Sequence, residues 1–369
     1  MIQKVYHTIM RGAEALPAKI AGIKITCAES WAIARKKQLY SSVSWTAEQQ
    51  KQFDDFWLDA YGKKIPNKWH RLYQSVSGKF CVDYIPEMLY TTKIEPYLND
   101  RRYAVALEDK SMVETLSAGC GCVVPDTVAV CSGGRLFNQK RQPICLQTAI
   151  RDIQTAGAVV IKPTVGSSSG KGIRFFESLS DKNEYEIEEI LGHFGKDYII
   201  QKKVEQHPVF AAFNSSSVNT IRITTFLVNG EIHHMPLAFR IGRQGKNVDN
   251  IHAGGIGVGV LDDGALLPVG FELGYGDSAK KHAMHPDSNA EFAGCTLPSV
   301  PQIIQSAYQV HSRFPHIGIV SWDYTVDAQG KPVLLEANIM GQGIWFPQMI
   351  HGKGAFGEYT KQVLETIRR

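Results

Sequence analysis

Two apolar runs near the C-terminus, GIVSWDYTV and PVLLEANI, flank the turn Asp327-Ala328-Gln329-Gly330. Short apolar segments bounded by a Gly-containing turn read as two antiparallel strands. Side chains alternate faces along a strand, so Glu336 and Asn338 share one face. With the loop centred between Gln329 and Gly330, Asp323 falls opposite Glu336. Asp323, Glu336 and Asn338 then bring three oxygen-bearing side chains to one patch of sheet. Two carboxylates at the end of an apolar strand are costly unless paired or metal-bound. Hard divalent cations such as Mg²⁺ take oxygen-only sites, often one or two carboxylates plus substrate phosphates. A solvated hairpin carrying ordinary surface acids is the plainer alternative.

A second segment carries chemistry. In Val160-Ile161-Lys162-Pro163-Thr164-Val165-Gly166-Ser167-Ser168-Ser169-Gly170-Lys171-Gly172, an apolar run ends in a lysine and a Gly/Ser loop. A loop of small residues, here Gly166, Ser167, Ser168, Ser169 and Gly170, can wrap backbone N–H groups around phosphate oxygens. Lys162 would add a point charge. It is not a Walker A loop, which needs four residues before Gly-Lys and then Ser or Thr. Its alternative is a flexible hairpin tip.

The 369 residues exceed one typical domain, so two or three units are expected. A formal net charge of +4 is mildly basic. It suits an anionic small molecule and falls short of the basic balance of a nucleic-acid binder. The seven cysteines include Cys120 and Cys122 but no second pair at zinc-finger spacing, so free thiols are expected. The N-terminal segment lacks the continuous apolar stretch of a secretory signal. No run is long enough to span a bilayer. Together these place the chain in the cytoplasm.

Along the chain, TAEQQKQFDDFWLDAYG reads as an amphipathic helix stopped by Gly62. Asp109-Lys110-Ser111 opens a short helix closed by Gly119. From Ala158 the pattern becomes strand-rich: AVVIK, then GIRFFE, a helix at EYEIEEILGHF, and DYIIQKKV. Asn229-Gly230 signals a hairpin, and GGIGVGVL with ALLPV a second. Ser299 is placed as the N-cap of a helix running to about Phe314. A final helix covers about residues 356–367. The class is α+β, with antiparallel sheets.

In this order the elements resemble the ATP-grasp superfamily over roughly residues 103–345. That resemblance implies an ATP-grasp fold, two α+β subdomains gripping ATP behind a mostly helical N-terminal extension. It divides the chain at 1–102, 103–200 and 201–369. It implies ATP and two Mg²⁺ ions, with Mn²⁺ as an alternative metal, held by Asp323, Glu336 and Asn338. Lys110 and Lys162 would reach phosphate and the Gly/Ser loop would act as a lid. Gln201, Lys203 and Val204 would lie at the adenine hinge, with His207 near ribose. A narrower resemblance, in KKIPNKWHRLYQSVSGKF, DYIPEMLYTTKIEPYLN and SVNTIRITTF, is to the sugar-transfer-associated group, implicated in cell-surface polysaccharide synthesis in bacteria.

The resemblance has departures. Ser321 stands where D-alanine–D-alanine ligases carry an arginine, so Arg222 or Arg240 would supply that charge. Ile339-Met340-Gly341-Gln342-Gly343 replaces a Ser-Pro-Gly turn, which puts Gln342 near substrate. Asn250 and His252, in Asn250-Ile251-His252-Ala253-Gly254-Gly255, resemble a segment near the phosphates. The implied activity is an ATP-dependent carboxylate–amine ligase working through an acylphosphate on small, sugar-linked substrates. A kinase for a sugar or other small acceptor, and a nucleotide-binding regulatory module, are the alternatives.

Overall fold

The computed structural model describes residues 22–166, 172–245, 254–273 and 279–368. The chain divides into two compact units. One holds the N-terminal residues through Leu98 together with Gly343–Arg369, and the other holds Asn99–Tyr275 and Ala279–Gln342. Residues 343–369, read from the sequence with the third domain, thus cluster with the first unit.

The first unit is helical. The helix Ala47–Tyr61 starts at a capping box, in which the Thr46 hydroxyl accepts the Gln49 N–H and the Gln49 side chain accepts the Thr46 N–H. It stops at Gly62, whose φ of +80° an L side chain rarely adopts. Phe53, Trp57, Ala60 and Tyr61 form its buried stripe. The helix Trp345–His351 packs against Lys68–Ser77. There the Gln348 amide is a staple: its Oε1 accepts the Ile85 and Ala355 N–H groups and its Nε2 donates to the Ile85 carbonyl.

The larger unit contains two antiparallel sheets. The first, ordered β2-β1-β5-β3-β4, uses β1 Thr127–Ser132, β2 Arg135–Phe137, β3 Val159–Pro163, β4 Arg174–Phe176 and β5 Tyr198–Lys202. Helices Leu146–Thr155 and Glu184–Gly192 cover an aliphatic core of Ile150, Ile153, Val159, Ile161, Ile187 and Ile200.

The second sheet runs β11-β10-β9-β8-β6-β12-β13, with β7 also paired to β6. Its strands are β6 Thr220–Val228, β7 Glu231–His234, β8 Leu237–Ile241, β9 Ile256–Val260, β10 Leu266–Leu273, β11 Ala279–His282, β12 Ile319–Val326 and β13 Pro332–Asn338. Asn229 (φ 53°) and Gly230 (φ 83°) make the β6–β7 turn, both left-handed as a two-residue hairpin demands. One face is apolar: Ile221, Ile223, Trp322, Tyr324 and Leu334 join Val300, Ile303, Ala307 and Val310 of the helix Val300–His311 in the core. Ser299 does not cap that helix with its side chain. Its hydroxyl donates instead to the Gly330 carbonyl of the β12–β13 turn.

Alternation leaves the other face polar, with Thr220, Arg222 and Thr224 on β6 and Ser321 and Asp323 on β12. The seven cysteines are free. Among the described residues no helix is long and apolar enough to cross a membrane.

Candidate active site

The polar face is organised by one strand irregularity. Near the turn, Val326 pairs with Pro332 and Tyr324 with Leu334, which centres the loop on Gln329. Half a residue separates this from the centre expected between Gln329 and Gly330. Between Asp323 and Tyr324 the register shifts, leaving Leu335 as the extra residue, and Asp323 then pairs with Glu336. In an unbroken strand Leu334 and Glu336 would share a face. The bulge separates them: Leu334 enters the core while Glu336 and Asn338 join Asp323.

Arg222 completes the row from the other side, directly opposite Asp323 on β6. Its Nε donates to Asp323 Oδ1 at 2.8 Å and its Nη2 to Oδ2 at 2.7 Å. This is a bidentate fork. Arg240, on β8, brings a second guanidinium to Oδ2 at 3.0 Å while its Nε and Nη2 donate to the Thr220 hydroxyl. Burial pushes the Asp323 carboxyl up, but the two guanidiniums outweigh it and hold the group well below the usual carboxylate range.

The two lysines arrive from elsewhere. The Lys110 N–H donates to the Thr164 carbonyl at 2.9 Å, tying the start of its segment to the end of β3. Lys162 lies one residue before the end of that strand. Lys110 Nζ sits 3.2 Å from Glu336 Oε2. Lys162 is buried in the same field. Burial pulls its ammonium down to about 8, with Glu336 raising it and Lys110 lowering it further. Lys110, Lys162, Arg222 and Arg240 thus face Asp323 and Glu336, four cations against two carboxylates. A surplus of two positive charges in a partly desolvated site suits a polyphosphate.

Among the described residues no group of three or more His, Cys, Asp and Glu side chains could hold a metal ion. The triad's third member is an amide. Asn338 Nδ2 points to the Ser321 carbonyl at 3.3 Å and Asp323 Oδ2 at 3.4 Å. That orientation leaves the Asn338 carbonyl oxygen on the opposite edge of the amide. By type, two acids on one ladder and an amide, the donors fit a hard cation once the Asn338 amide turns its oxygen towards them. A cation there would share Asp323 with guanidinium and Glu336 with ammonium.

The other sequence-named residues are placed as follows. Gly166 ends the described part of the loop with a left-handed φ of +69°. Ser167, Ser168, Ser169, Gly170, Asn250 and His252 lie outside the described residues. Gln201 is buried, and its Nε2 donates to the Pro125 carbonyl at 3.2 Å. Lys203 pairs with Glu177 at 2.7 Å, and its N–H donates to the Ala158 carbonyl. Val204 follows, half-buried. His207 Nδ1 accepts the Val209 N–H at 3.2 Å and caps the short helix Pro208–Ala211. Gln342 is buried, and its Nε2 faces the Ile319 and Ile339 carbonyls. That nitrogen fastens main chain.

Two supporting residues were missed. Glu108 Oε1 accepts the N–H groups of Ile339 and Met340 at 2.7 and 2.8 Å, fixing the chain as it leaves Asn338. Asn99 donates to the Ile319 and Ile339 carbonyls and accepts the Ile319 N–H, joining the start of β12 to the exit of β13. The only sequence signal for Glu108 was an acid two residues before Lys110.

No curated protein matches the chain. Solved structures that match include the Staphylococcus aureus N5-carboxyaminoimidazole synthetase complexed with ADP, with 11% identity over 64% of this chain and 45% of that one, TM-score 0.38. The biotin carboxylase domain of the Hydrogenobacter thermophilus 2-oxoglutarate carboxylase, solved with MgADP, ADP and bicarbonate, matches at 16% identity over 71% and 45%, TM-score 0.39. D-alanyl-alanine synthetase A from Vibrio cholerae matches at 11% identity over 71% and 65%, TM-score 0.41. The chain spans less than half the length of the first two. None of these likenesses assigns it an activity. The family model described as sugar-transfer associated ATP-grasp matches residues 90–365. Most of the chain lies within that match, and the chain belongs to the sugar-transfer associated ATP-grasp family.

Proposed function

We propose that this chain is an ATP-dependent carboxylate–amine ligase that works through an acylphosphate, on a sugar or sugar precursor of cell-surface polysaccharide. The observation that carries the reading is the row Arg222–Asp323–Glu336 across three strands, with Lys110 and Lys162 converging on Glu336. Such a site concentrates cations where the terminal phosphates of ATP would lie.

In this reading a substrate carboxylate oxygen attacks the γ-phosphorus, ADP leaves, and an amine then displaces phosphate from the acyl carbon. Lys110 and Lys162 stabilise negative charge on the transferring phosphoryl group. Asp323, Glu336 and the Asn338 carbonyl oxygen would hold Mg²⁺, which when bound neutralises charge on the terminal phosphates. Arg222 fixes the Asp323 carboxylate with both of its bonding nitrogens. Arg222 or Arg240, the latter anchored on Thr220, is the candidate to face the acyl group. The Gly/Ser loop would exclude water that would otherwise hydrolyse the anhydride. The main chain of Val204, at the end of the hinge, is the candidate reader of adenine.

The test is a panel of sugar acids and amines assayed separately for ADP, AMP, phosphate and pyrophosphate, with ¹⁸O in the carboxylate and hydroxylamine as trap. Transfer of ¹⁸O to phosphate, and a hydroxamate, are expected. AMP with pyrophosphate would overturn the reading. A stable phosphorylated hydroxyl that resists hydroxylamine would replace it with a kinase.

A further inference from the structure

The helix at residues 22–35 of the first unit, continued after a turn by Lys37–Ser41, has two apolar faces. At the helical angle of about 100° per residue, Ile25, Glu29, Ala32, Ile33, Lys36, Leu39 and Tyr40 fall on one side. These are its buried or half-buried positions, as an inward face should be. The opposite side should then be polar. It carries Ile23, Cys27, Trp31 and Ala34, with the uncharged polar Ser30 and Gln38 among them, all exposed. Ile23 is 65% exposed and Trp31 62%. Basic residues border this outer stripe, Lys24 and Arg35 on one flank and Lys37 on the other, all exposed. The Arg35 guanidinium lies over the Trp31 ring at 4.5 Å. The one acid on the segment, Glu29, points inward and is pushed up by burial.

We infer that this outer face docks on an anionic lipid surface. An aromatic and an aliphatic side chain held to water, with cations along both flanks and no acid among them, match what an interfacial helix presents to acyl chains and lipid headgroups. Trp favours the boundary between headgroup and hydrocarbon. Each flanking cation adds attraction to a negatively charged leaflet. An outer face serving solubility alone would carry its charges in the middle of the stripe, where Ile23, Cys27, Trp31 and Ala34 stand.

The experiment is flotation of the full chain with vesicles of phosphatidylcholine alone and of phosphatidylcholine mixed with phosphatidylglycerol, at low and high salt. The chain is expected to float with the anionic vesicles at low salt and to be released by salt or by omitting phosphatidylglycerol. Trp31→Ser and Ile23→Ser should each weaken partition by roughly tenfold, the scale of one large apolar side chain. Lys24→Gln with Arg35→Gln should weaken the preference for anionic vesicles, and adding Lys37→Gln should weaken it further. Thermal melts of each variant check folding, which these exposed positions should leave unchanged. Absence of binding to anionic vesicles, or equal binding by Trp31→Ser, overturns the inference. So does a dimer in solution that Trp31→Ser dissociates, because the face would then join two copies of the chain.

Discussion

Asp323 accepts both Nε and Nη2 of Arg222 across the β6–β12 ladder, at 2.8 and 2.7 Å, and is itself buried. Removing the carboxylate leaves two guanidiniums facing each other without their shared partner. Asp323→Ala is therefore expected to destabilise the ligand-free protein by about 3–5 kcal/mol, the scale for breaking a buried pair. Urea unfolding measures it. Adding Arg222→Met to the same chain should recover part of the loss. A single variant with unchanged stability would mean that the two side chains are hydrated and independent.

The pH dependence of that pair follows from its sign. The folded-state carboxyl is held below its unfolded value of 3.8, so its contribution is present above that value and is lost as pH falls further, towards the lower folded value. Over the neutral range Asp323 stays ionised and no activity change belongs to it.

Lys162 is pulled towards neutrality. Its ammonium is pulled from 10.5 to about 8, chiefly by burial. The charged form grips phosphate, so nucleotide affinity should be steady below this value and fall by about tenfold per pH unit above it. Binding near the midpoint should take up a proton, seen as calorimetric heats that vary with the buffer's ionisation enthalpy. Lys162→Gln should bind weakly at every pH with no such dependence. An affinity flat to pH 10 in the native chain would remove Lys162 from the phosphate site.

Glu336→Gln separates charge from shape. The carboxylate touches Lys110 and raises Lys162, and by register it faces Asp323. Turnover is expected to fall by about a hundredfold or more, with the melting temperature moved by only a few degrees, because Glu336 is partly exposed. The midpoint of nucleotide affinity against pH should also shift downward, since Lys162 loses the neighbour that raised it. Near-normal turnover would reduce Glu336 to an ordinary hairpin acid.

The strands and their polar positions were legible because alternation and turn residues are local signals. TIRITTFLV, IVSWDYTV and PVLLEAN each announce a strand, and the Asn229-Gly230 turn announces its hairpin. The facing of Asp323 and Glu336 was also reached, yet by counting from a turn centre that the structure moves to Gln329. The bulge at Leu335 compensates. No local pattern distinguishes an apolar bulge residue from the next apolar strand residue, so that device was invisible. That Arg222 pairs with an acid of the sheet was one reading of its strand, but which acid it meets was hidden for a different reason. Arg222 is 101 positions away in sequence, and the cross-strand register that unites them exists only once the sheet forms. Glu108 and Asn99 act on main-chain groups, which have no signature in a side-chain pattern. Ser299 was read as a cap on composition alone, and tertiary contact with the Gly330 carbonyl won.

The first unit should be acid-sensitive for a reason unrelated to the active site. His70 is fully buried among Phe53, Trp57 and Tyr84, with ring centroids 4.7, 5.6 and 5.9 Å away. One ring nitrogen meets the Val82 carbonyl at 3.2 Å, while Nδ1 has no hydrogen-bond partner among the described residues. Burial pulls the imidazole down from 6.5 to about 3. The neutral ring is what the aromatic shell accepts, and the unfolded chain binds the proton more readily. Stability is therefore complete above the unfolded value and declines as pH drops from there towards the folded one. By about pH 5 the loss should reach roughly 2 kcal/mol, at 1.36 kcal/mol for each unit between the two states. Native-state hydrogen exchange of the helices Ala47–Tyr61 and Lys68–Ser77, followed from pH 7 to 5, reads it directly. His70→Phe should lose most of this dependence while keeping the ring contacts. If protection in those helices declines with pH equally in the variant, the acid sensitivity belongs to another group and His70 is only packing.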